Sequence, residues 1–199
     1  MKNLTSFLLV LALGLAFISN ANASDRYLFI GLDSKTNNER LVVDLSSLDG
    51  SIVSCKIIDQ NGVYVYTDNF KVQRAGLKWY NLENLKSGSY TFILNDENQT
   101  IEYKVKKERS KISIQESPNI TFKPIVTSVT KNISDFHLLS LGKDVFIELY
   151  NDQGEELYSK EYIGENTISQ RFNLSLSPQG EYTLKVRVGD MIYYEYFNV

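Results

Sequence analysis

The segment LKSGSY at residues 85–90 decides the fold of this chain, because a close variant, LSPQGEY, returns at residues 176–182. In each segment a leucine precedes a turn that ends in glycine, and a tyrosine follows after one more residue. This is the sequence form of a tyrosine corner, in which the ring packs at the corner of a β-sandwich and its hydroxyl reaches a backbone group a few residues upstream. Two copies therefore predict two sandwiches.

The sequence around both segments repeats as well. KIIDQNGVYVY (56–66) aligns with ELYNDQGEELY (148–158), and YNL (80–82) aligns with FNL (172–174). One offset of 92 positions, without a gap, aligns the shared Asn-Leu of these segments together with two glycine pairs and two tyrosine pairs: Gly62 with Gly154, Tyr66 with Tyr158, Gly88 with Gly180 and Tyr90 with Tyr182. We interpret this as an internal duplication whose period is a whole domain.

Both halves alternate apolar and polar residues with the two-residue period of half-buried strands, as at residues 53–57 and 182–188. Residues 59–62 and 151–154 read as hairpin turns that end in glycine. We count roughly seven short strands in each half and no convincing helix. The fold class is therefore predicted to be all-β, with two tandem immunoglobulin-like antiparallel β-sandwich domains.

The first 23 residues read as a cleaved signal peptide. Lys2 supplies a positive charge, residues 7–18 form a short apolar run, and Ala-Asn-Ala at 21–23 fits a signal peptidase site before Ser24. A retained membrane anchor is the alternative. No later stretch is long and apolar enough to span a membrane, so we expect no membrane span after cleavage. The predicted location is secreted or periplasmic, with the cell surface as a further option.

Residues 24–105 and 112–199 are predicted to be the two sandwich domains. Between them, residues 106–111 are assigned to a charged linker, because KVKKERSK (104–111) is a charge run and Pro118 and Pro124 follow it. We read the basic run as a solvated connector, with binding to an anionic glycan as the alternative.

Composition excludes several classes of function. A formal net charge of −3 argues against a nucleic-acid binder. The single cysteine, Cys55, cannot form an internal disulfide or a thiolate zinc site. It aligns with Ile147, which predicts a core position, and a reactive or intermolecular thiol is the alternative. We predict no cofactor and no metal.

No residue is assigned a catalytic role. His137 is the only histidine, and no nucleophile signature accompanies it, so we expect an ordinary strand or loop residue. Asp59, Asn61, Asn151 and Asp152 resemble calcium ligands only superficially, because an EF-hand needs a longer oxygen series and a closing glutamate. Turn chemistry explains these residues better.

Two features suggest binding surfaces. Trp79, the only tryptophan, is predicted to face away from the core, where it makes a ligand or interface contact. The last strand, MIYYEYFNV (191–199), is rich in aromatic residues and reads as an ordinary sandwich strand. If it lies at a sheet edge, pairing with a partner's strand is the alternative.

Residues 145–199 resemble a pattern in exported proteins of the Bacteroidetes. Three features carry the resemblance: the NDQG turn (151–154), the segment FNLSLSPQGEY (172–182) and the closing strand. The segment looks like the C-terminal sorting domains of the type IX secretion system and like related small secreted β-sandwich proteins of unknown function. The first half carries the same features more loosely. The resemblance implies a secreted sandwich and supplies no catalytic residue.

These observations predict an exported, non-enzymatic structural or interaction protein of the periplasm or cell surface. Its expected partner is an unknown protein or glycan, recognised through sheet faces or loops. In one alternative the C-terminal half is a type IX sorting domain. In a second the protein is a carbohydrate-binding module, and in a third it is a small hydrolase built around His137.

Overall fold

The structure is a computed structural model that describes residues 29–32, 40–74 and 76–199. In these ranges every helix or strand assigned is a β-strand, and all strand pairs are antiparallel, which confirms the predicted fold class. No helix in this part of the chain is long and apolar enough to cross a membrane. The predicted signal peptide at residues 1–23 and its cleavage site lie outside the described residues.

The first sandwich pairs a small sheet with a larger one. Its strands are β1 (Phe29–Leu32), β2 (Arg40–Asp44), β3 (Ile52–Asp59), β4 (Tyr64–Lys71), β5 (Leu77–Asn81), β6 (Gly88–Asn95), β7 (Gln99–Glu108), β8 (Lys111–Ile114) and β9 (Asn119–Phe122). One sheet has the order β1-β2-β5 and the other β4-β3-β6-β7-β8, with β9 also paired to β7.

The second sandwich repeats this plan with fewer strands. Its strands are β10 (Ile125–Thr130), β11 (Ile133–Leu139), β12 (Val145–Tyr150), β13 (Glu156–Tyr162), β14 (Thr167–Asn173), β15 (Glu181–Val188) and β16 (Met191–Asn198). The sheets have the orders β10-β11-β14 and β13-β12-β15-β16. Apart from β8 and β9, each strand of the first sandwich has a counterpart here.

Each sandwich has its own core between its two sheets. In the first, Leu41 and Val43 of the small sheet join Cys55 and Phe92 of the large sheet, all fully buried. A separate cluster in the second sandwich includes Phe136, which is also fully buried. Strand alternation sends these side chains inward, and burying each large apolar side chain stabilises the fold by roughly 1.5–3 kcal/mol.

Strand registers correspond between the two halves. Cys55 pairs with Leu94 in the first large sheet, and Ile147 pairs with Val186 in the second, which is the same register at the offset of 92. The small sheets differ by one residue. Leu41 lies opposite Tyr80, whereas Ser134 lies opposite Phe172. The gapless offset thus holds from β3 onward, and β2 matches β11 at an offset of 93.

Both predicted tyrosine corners are present. The hydroxyl of Tyr90 donates a hydrogen bond to the carbonyl of Lys86 at 2.8 Å, and that of Tyr182 donates to the carbonyl of Pro178 at 2.7 Å. Both tyrosine side chains are buried. Each hydrogen bond connects the tyrosine of a central strand to the loop that precedes this strand, as the repeated segment predicted.

We expect Tyr182→Phe to lower the free energy of unfolding of the second sandwich by about 1 kcal/mol, because the Pro178 carbonyl loses its donor while ring packing is kept. Urea denaturation followed by circular dichroism measures the loss. Tyr194→Phe is the control, since Tyr194 is 51% exposed and its removal leaves the corner intact. Equal effects of the two substitutions would contradict a structural role for the corner.

The structure places residues 106–111 differently from the predicted linker. They form the end of β7, a hairpin at Arg109 and the start of β8, which pairs back onto β7. Lys107 is 2% exposed and Ile112 is fully buried in the first core. The charge run obscured the strand period, since Val105 and Lys107 point inward while their charged neighbours point outward. Pro118 and Pro124 flank β9 instead of stiffening a connector.

One side chain of the second sandwich reaches the first. The Lys143 ammonium donates to the Asn119 side-chain carbonyl at 2.7 Å and contacts the Thr121 hydroxyl at 2.5 Å. Both acceptors belong to β9. Burial lowers the pKa of Lys143, and the nearby carboxylates of Glu102 and Asp190 oppose that shift. The strand that closes the first large sheet therefore also provides the contact with the second sandwich.

Candidate functional site

Trp79 lies on the outward face of β5, as predicted. It pairs with Val42 of β2 and is 51% exposed, whereas the adjacent Tyr80 points into the core and is 4% exposed. The indole forms part of a groove of about 300 Å³. The groove is lined by side chains from β3, β4, β5 and the loop after β5: Ile57, Val65, Tyr66, Trp79, Tyr80, Asn81, Leu82, Asn84 and Leu85.

Among the described residues that line this groove, tyrosine is the only ionisable type. Aromatic rings and aliphatic side chains form most of it, and Asn81 and Asn84 add amide groups. Tyr66 and Tyr80 meet edge to face with their centroids 5.8 Å apart. Such a surface suits a neutral ligand that offers an apolar face and hydroxyl groups, because the rings stack and the amides hydrogen-bond.

An ion pair lies beside the groove on β4 and β5, two of the strands that line it. The Lys78 ammonium is 2.8 Å from the Asp68 carboxylate and 3.5 Å from the centroid of the Phe70 ring. The Tyr80 hydroxyl donates a long hydrogen bond of 3.5 Å to the same carboxylate. These contacts pair the two charges with each other and with aromatic rings, so the neighbourhood of Trp79 gains little net charge.

The loop on the other side of the groove is held by local hydrogen bonds. The Asn81 side-chain oxygen accepts the Glu83 N–H at 3.0 Å, and the Leu85 N–H donates to the Leu82 carbonyl at 3.1 Å. Leu82 is buried, and the Tyr90 hydroxyl binds the carbonyl of Lys86, the residue that follows Leu85. The sequence around the corner therefore fixes one wall of the groove.

The second sandwich has an ion pair where the first has Trp79. Arg171 aligns with Trp79, and its guanidinium donates two hydrogen bonds to the Asp135 carboxylate, at 2.6 and 2.7 Å. These bonds hold the pKa of Asp135 below its usual value. Since the aligned positions differ in chemistry, Trp79 is a special feature of the first sandwich and not part of the shared framework.

His137 is exposed on β11, as the sequence suggested. Its Nδ1 lies 3.1 Å from the Ser169 hydroxyl, and Asp135 precedes it by two residues on the same face. A catalytic triad needs the carboxylate to orient the imidazole. Here both oxygens of Asp135 accept hydrogen bonds from Arg171 instead. The three residue types are close together, but their hydrogen bonds do not connect them as a triad.

Cys55 is a core residue, which confirms the preferred prediction. It is fully buried on β3, and burial raises the pKa of its thiol to about 12. The thiolate is the reactive form of cysteine, so such a shift suppresses reactivity.

At pH 8 we expect the folded protein to react with a disulfide reagent about a thousandfold more slowly than the protein unfolded in urea. The physical reason is the smaller thiolate fraction together with the lack of access to the sulfur. Spectrophotometric thiol titration measures both rates. Rapid modification of the native protein would instead support the alternative of a reactive thiol.

The residues that resemble calcium ligands are engaged in turns. One oxygen of Asp59 accepts the N–H groups of Asn61 and Val63, both at 2.9 Å. The side chain of Asn151 does the same for Gln153 and Glu155, at 3.0 and 2.8 Å. Among the residues that the structure describes, no group of three or more His, Cys, Asp or Glu side chains is arranged to hold a metal ion.

A second cleft of about 270 Å³ lies where the two sandwiches meet. Its wall includes Lys143, which contacts β9, and the β15–β16 turn at Gly189 and Asp190. The first sandwich contributes Glu102, Asn119 and Thr121. Sequence reasoning missed this cleft, because no local pattern indicates which residues of two domains meet.

The outer face of β16 carries a row of exposed apolar side chains. The sequence indicated this row only by the aromatic residues of the last strand. Ile192, Tyr194 and Tyr196 are 48%, 51% and 62% exposed, and they follow one another on the same face. Lys185 lies opposite Tyr194, and Arg187 stacks on Phe146 with 3.9 Å between its guanidinium carbon and the ring centroid. We call Ile192, Tyr194 and Tyr196 the β16 row.

Residues 37–108 match a family of secretion-system C-terminal sorting domains. The matched segment spans β2 to β7, so it lies in the first sandwich, whereas we expected the closer resemblance in residues 145–199. The match confirms the resemblance to sorting domains and the predicted secreted location. No curated protein sequence matches the chain.

Solved structures add only a general likeness. The BSP domain of a biofilm-associated protein is 14% identical, with a TM-score of 0.29, and the match covers 82% of this chain and 27% of the other. The FN1–FN3 domains of chicken CNTN1 are 8% identical, with a TM-score of 0.27, at 86% and 67% coverage. This chain thus spans about a quarter of the biofilm protein's length.

Proposed function

We propose that this protein is an exported, non-enzymatic binding protein of the cell surface, which presents sheet faces and grooves to a protein or glycan partner. The observation that carries the proposal is the sorting-domain match at residues 37–108. The engagement of Asp135 by Arg171, away from His137, supports a role without catalysis. Two similar sandwiches with different surfaces are more typical of a protein that binds partners than of an enzyme with a single active site.

The mass and location of the protein recovered from its native host test this proposal. We expect intact protein, beginning at Ser24, on the cell surface and in the medium. Recovery only from the cytoplasm would overturn the proposal. A product cut between β9 and β10, near residues 123–125, would support the alternative in which one sandwich is a sorting domain that is cleaved off and the other is the exported protein.

Binding of a neutral carbohydrate is a second candidate function, favoured by the half-exposed Trp79 in its uncharged groove. We expect Trp79→Ala to reduce retention on an immobilised neutral polysaccharide by about tenfold or more, because the stacking surface is lost. Affinity electrophoresis measures retention. Leu77→Ala is the control, because Leu77 is on the same strand, is 49% exposed and does not line the groove. Equal retention of wild type and Trp79→Ala would exclude this function.

A further inference from the structure

Strand β7 of the first sandwich and its counterpart β16 of the second differ in what lies beside them. In the first sandwich β7 is an interior strand, paired with β6 on one side and with β8 and β9 on the other. In the second sandwich β16 aligns with β7 at the offset of 92. Within the described ranges β16 pairs with β15 alone. Among the strands that the structure describes, the same edge is therefore covered in one sandwich and open in the other.

The backbone of β16 offers hydrogen-bonding groups along this edge. Val199 donates its N–H inward, to the Gly180 carbonyl at 3.1 Å. Because alternate residues of a strand point their N–H and C=O groups to opposite sides, Tyr194 and Tyr196 point theirs outward. Lys104 of β7 aligns with Tyr196. The carbonyl of Lys104 accepts a hydrogen bond from the N–H of Gln115, the residue just after β8, at 2.9 Å, and the outward carbonyl of Tyr196 can bind an N–H of another strand in the same way.

The side chains of the β16 row suit contact with another chain. The aligned residues on β7 are Thr100, Glu102 and Lys104, which are polar. Open sheet edges are usually protected by charges or proline, and an exposed edge bordered by aromatic residues is a site for strand pairing. The polar residues of β7 are thus replaced by isoleucine and two tyrosines on β16, the strand that no other described strand covers.

The inward-facing Tyr193 of β16 carries a buried hydroxyl. This hydroxyl makes no hydrogen bond to any residue that the structure describes, and burial raises its pKa. Its aligned residue in the first sandwich is Ile101, which lies opposite Ile120 of β9. A strand seated on β16 at the same register would therefore lie beside Tyr193, as Ile120 lies beside Ile101.

We propose that the β16 edge binds an extended segment of a partner protein by antiparallel strand addition. The chemistry of that segment follows from β8 and β9, whose Ile112, Ile114 and Ile120 pack in or against the core of the first sandwich. The edge of β7 is covered by β8 and β9, two short strands whose sequences differ from that of β7. By analogy, a short segment of a different sequence is a better fit to the β16 edge than the β16 strand of a second copy of this chain. This names the partner class of the proposed surface-binding function and rests on it.

Amide hydrogen exchange of the whole protein tests the proposal with a defined probe. The probe is the synthetic peptide KISIQESPNITF, the sequence of residues 111–122. In the intact chain β7 is already covered by its own β8 and β9, so the equivalent open site among the described strands is the β16 edge. We expect saturating peptide to slow exchange at the amides of Ile192, Tyr194 and Tyr196 by about tenfold or more.

Two variants separate backbone pairing from side-chain contact. Tyr196→Pro removes an outward N–H without removing a bond to β15, so we expect it to weaken peptide binding by about tenfold or more. Tyr196→Ala keeps the N–H and retains the protection of β16. A peptide N-methylated at alternate residues makes the same test on the wild-type protein, in case Tyr196→Pro fails to fold, and we expect it not to bind.

Three results would overturn the proposal: unchanged exchange at β16 with millimolar peptide, equal protection by a scrambled peptide, or equal losses in Tyr196→Pro and Tyr196→Ala. A concentration-dependent dimer that Tyr196→Pro abolishes, measured by sedimentation, would identify a second copy as the occupant and also overturn it. None of these outcomes affects the location of the protein or its retention on polysaccharide, so failure here is distinguishable from failure of the proposed function.

Discussion

Replacing Phe92 by alanine is expected to lower the free energy of unfolding of the first sandwich by about 3–5 kcal/mol. Phe92 is fully buried on β6, between the two sheets. Its ring meets the Tyr80 ring edge to face, with the centroids 5.2 Å apart. Truncation leaves a cavity and removes this aromatic contact, which by itself stabilises a fold by roughly 0.5–1.5 kcal/mol.

The single tryptophan makes this prediction selective. Trp79 belongs to the first sandwich, so its fluorescence in a urea titration follows that sandwich alone. Circular dichroism follows both. Phe136→Ala is the matched control, because Phe136 is fully buried in the second core. We expect it to leave the fluorescence transition in place. A shift of that transition as large as that of Phe92→Ala would mean that the two cores unfold as one cooperative unit.

Replacing Ile112 by alanine is expected to destabilise the first sandwich by about 2–5 kcal/mol, even though the sequence assigned this residue to the second domain. Ile112 is fully buried, lies opposite Lys107 in the β7–β8 ladder and belongs to the first core. The urea midpoint reported by Trp79 fluorescence should therefore fall, while the second sandwich keeps its midpoint.

Ile125→Ala is the control for this substitution. Ile125 begins β10 in the second sandwich and is 57% exposed, so its truncation should change stability by less than about 0.5 kcal/mol. If Ile112→Ala lowered only the urea midpoint of the second sandwich, the result would support the predicted boundary at residues 106–111. Strand β8 would then not be part of the first sandwich.

Local sequence chemistry was sufficient to predict several elements of this protein. The glycine turns and tyrosine corners depend on residues within a few positions of one another, so each copy of the motif specifies its own geometry. The alignment of Cys55 with Ile147 identified Cys55 as a core residue, and strand alternation identified Trp79 as an outward one. These features were predictable because backbone preference and side-chain alternation act over short distances.

The boundary between the sandwiches needed the tertiary structure. Residues 104–111 have the composition of a solvated connector, yet they continue β7 and turn into β8, because hydrogen bonds to β6 and burial of Ile112 outweigh the local preference of the charged residues. A strand's pairing partners lie far away in sequence, so composition alone does not reveal them.

The sequence by itself determined the all-β class, the two corners, the hairpin turns and the facing of Cys55 and Trp79, since these follow from local turn chemistry and a two-residue period. Only the tertiary structure decided that β8 and β9 cover β7, that no described strand covers the outer edge of β16, that Arg171 engages Asp135 and that Trp79 borders a groove. Those features depend on which distant strands become neighbours, and that choice is made by packing and hydrogen bonding across the whole fold.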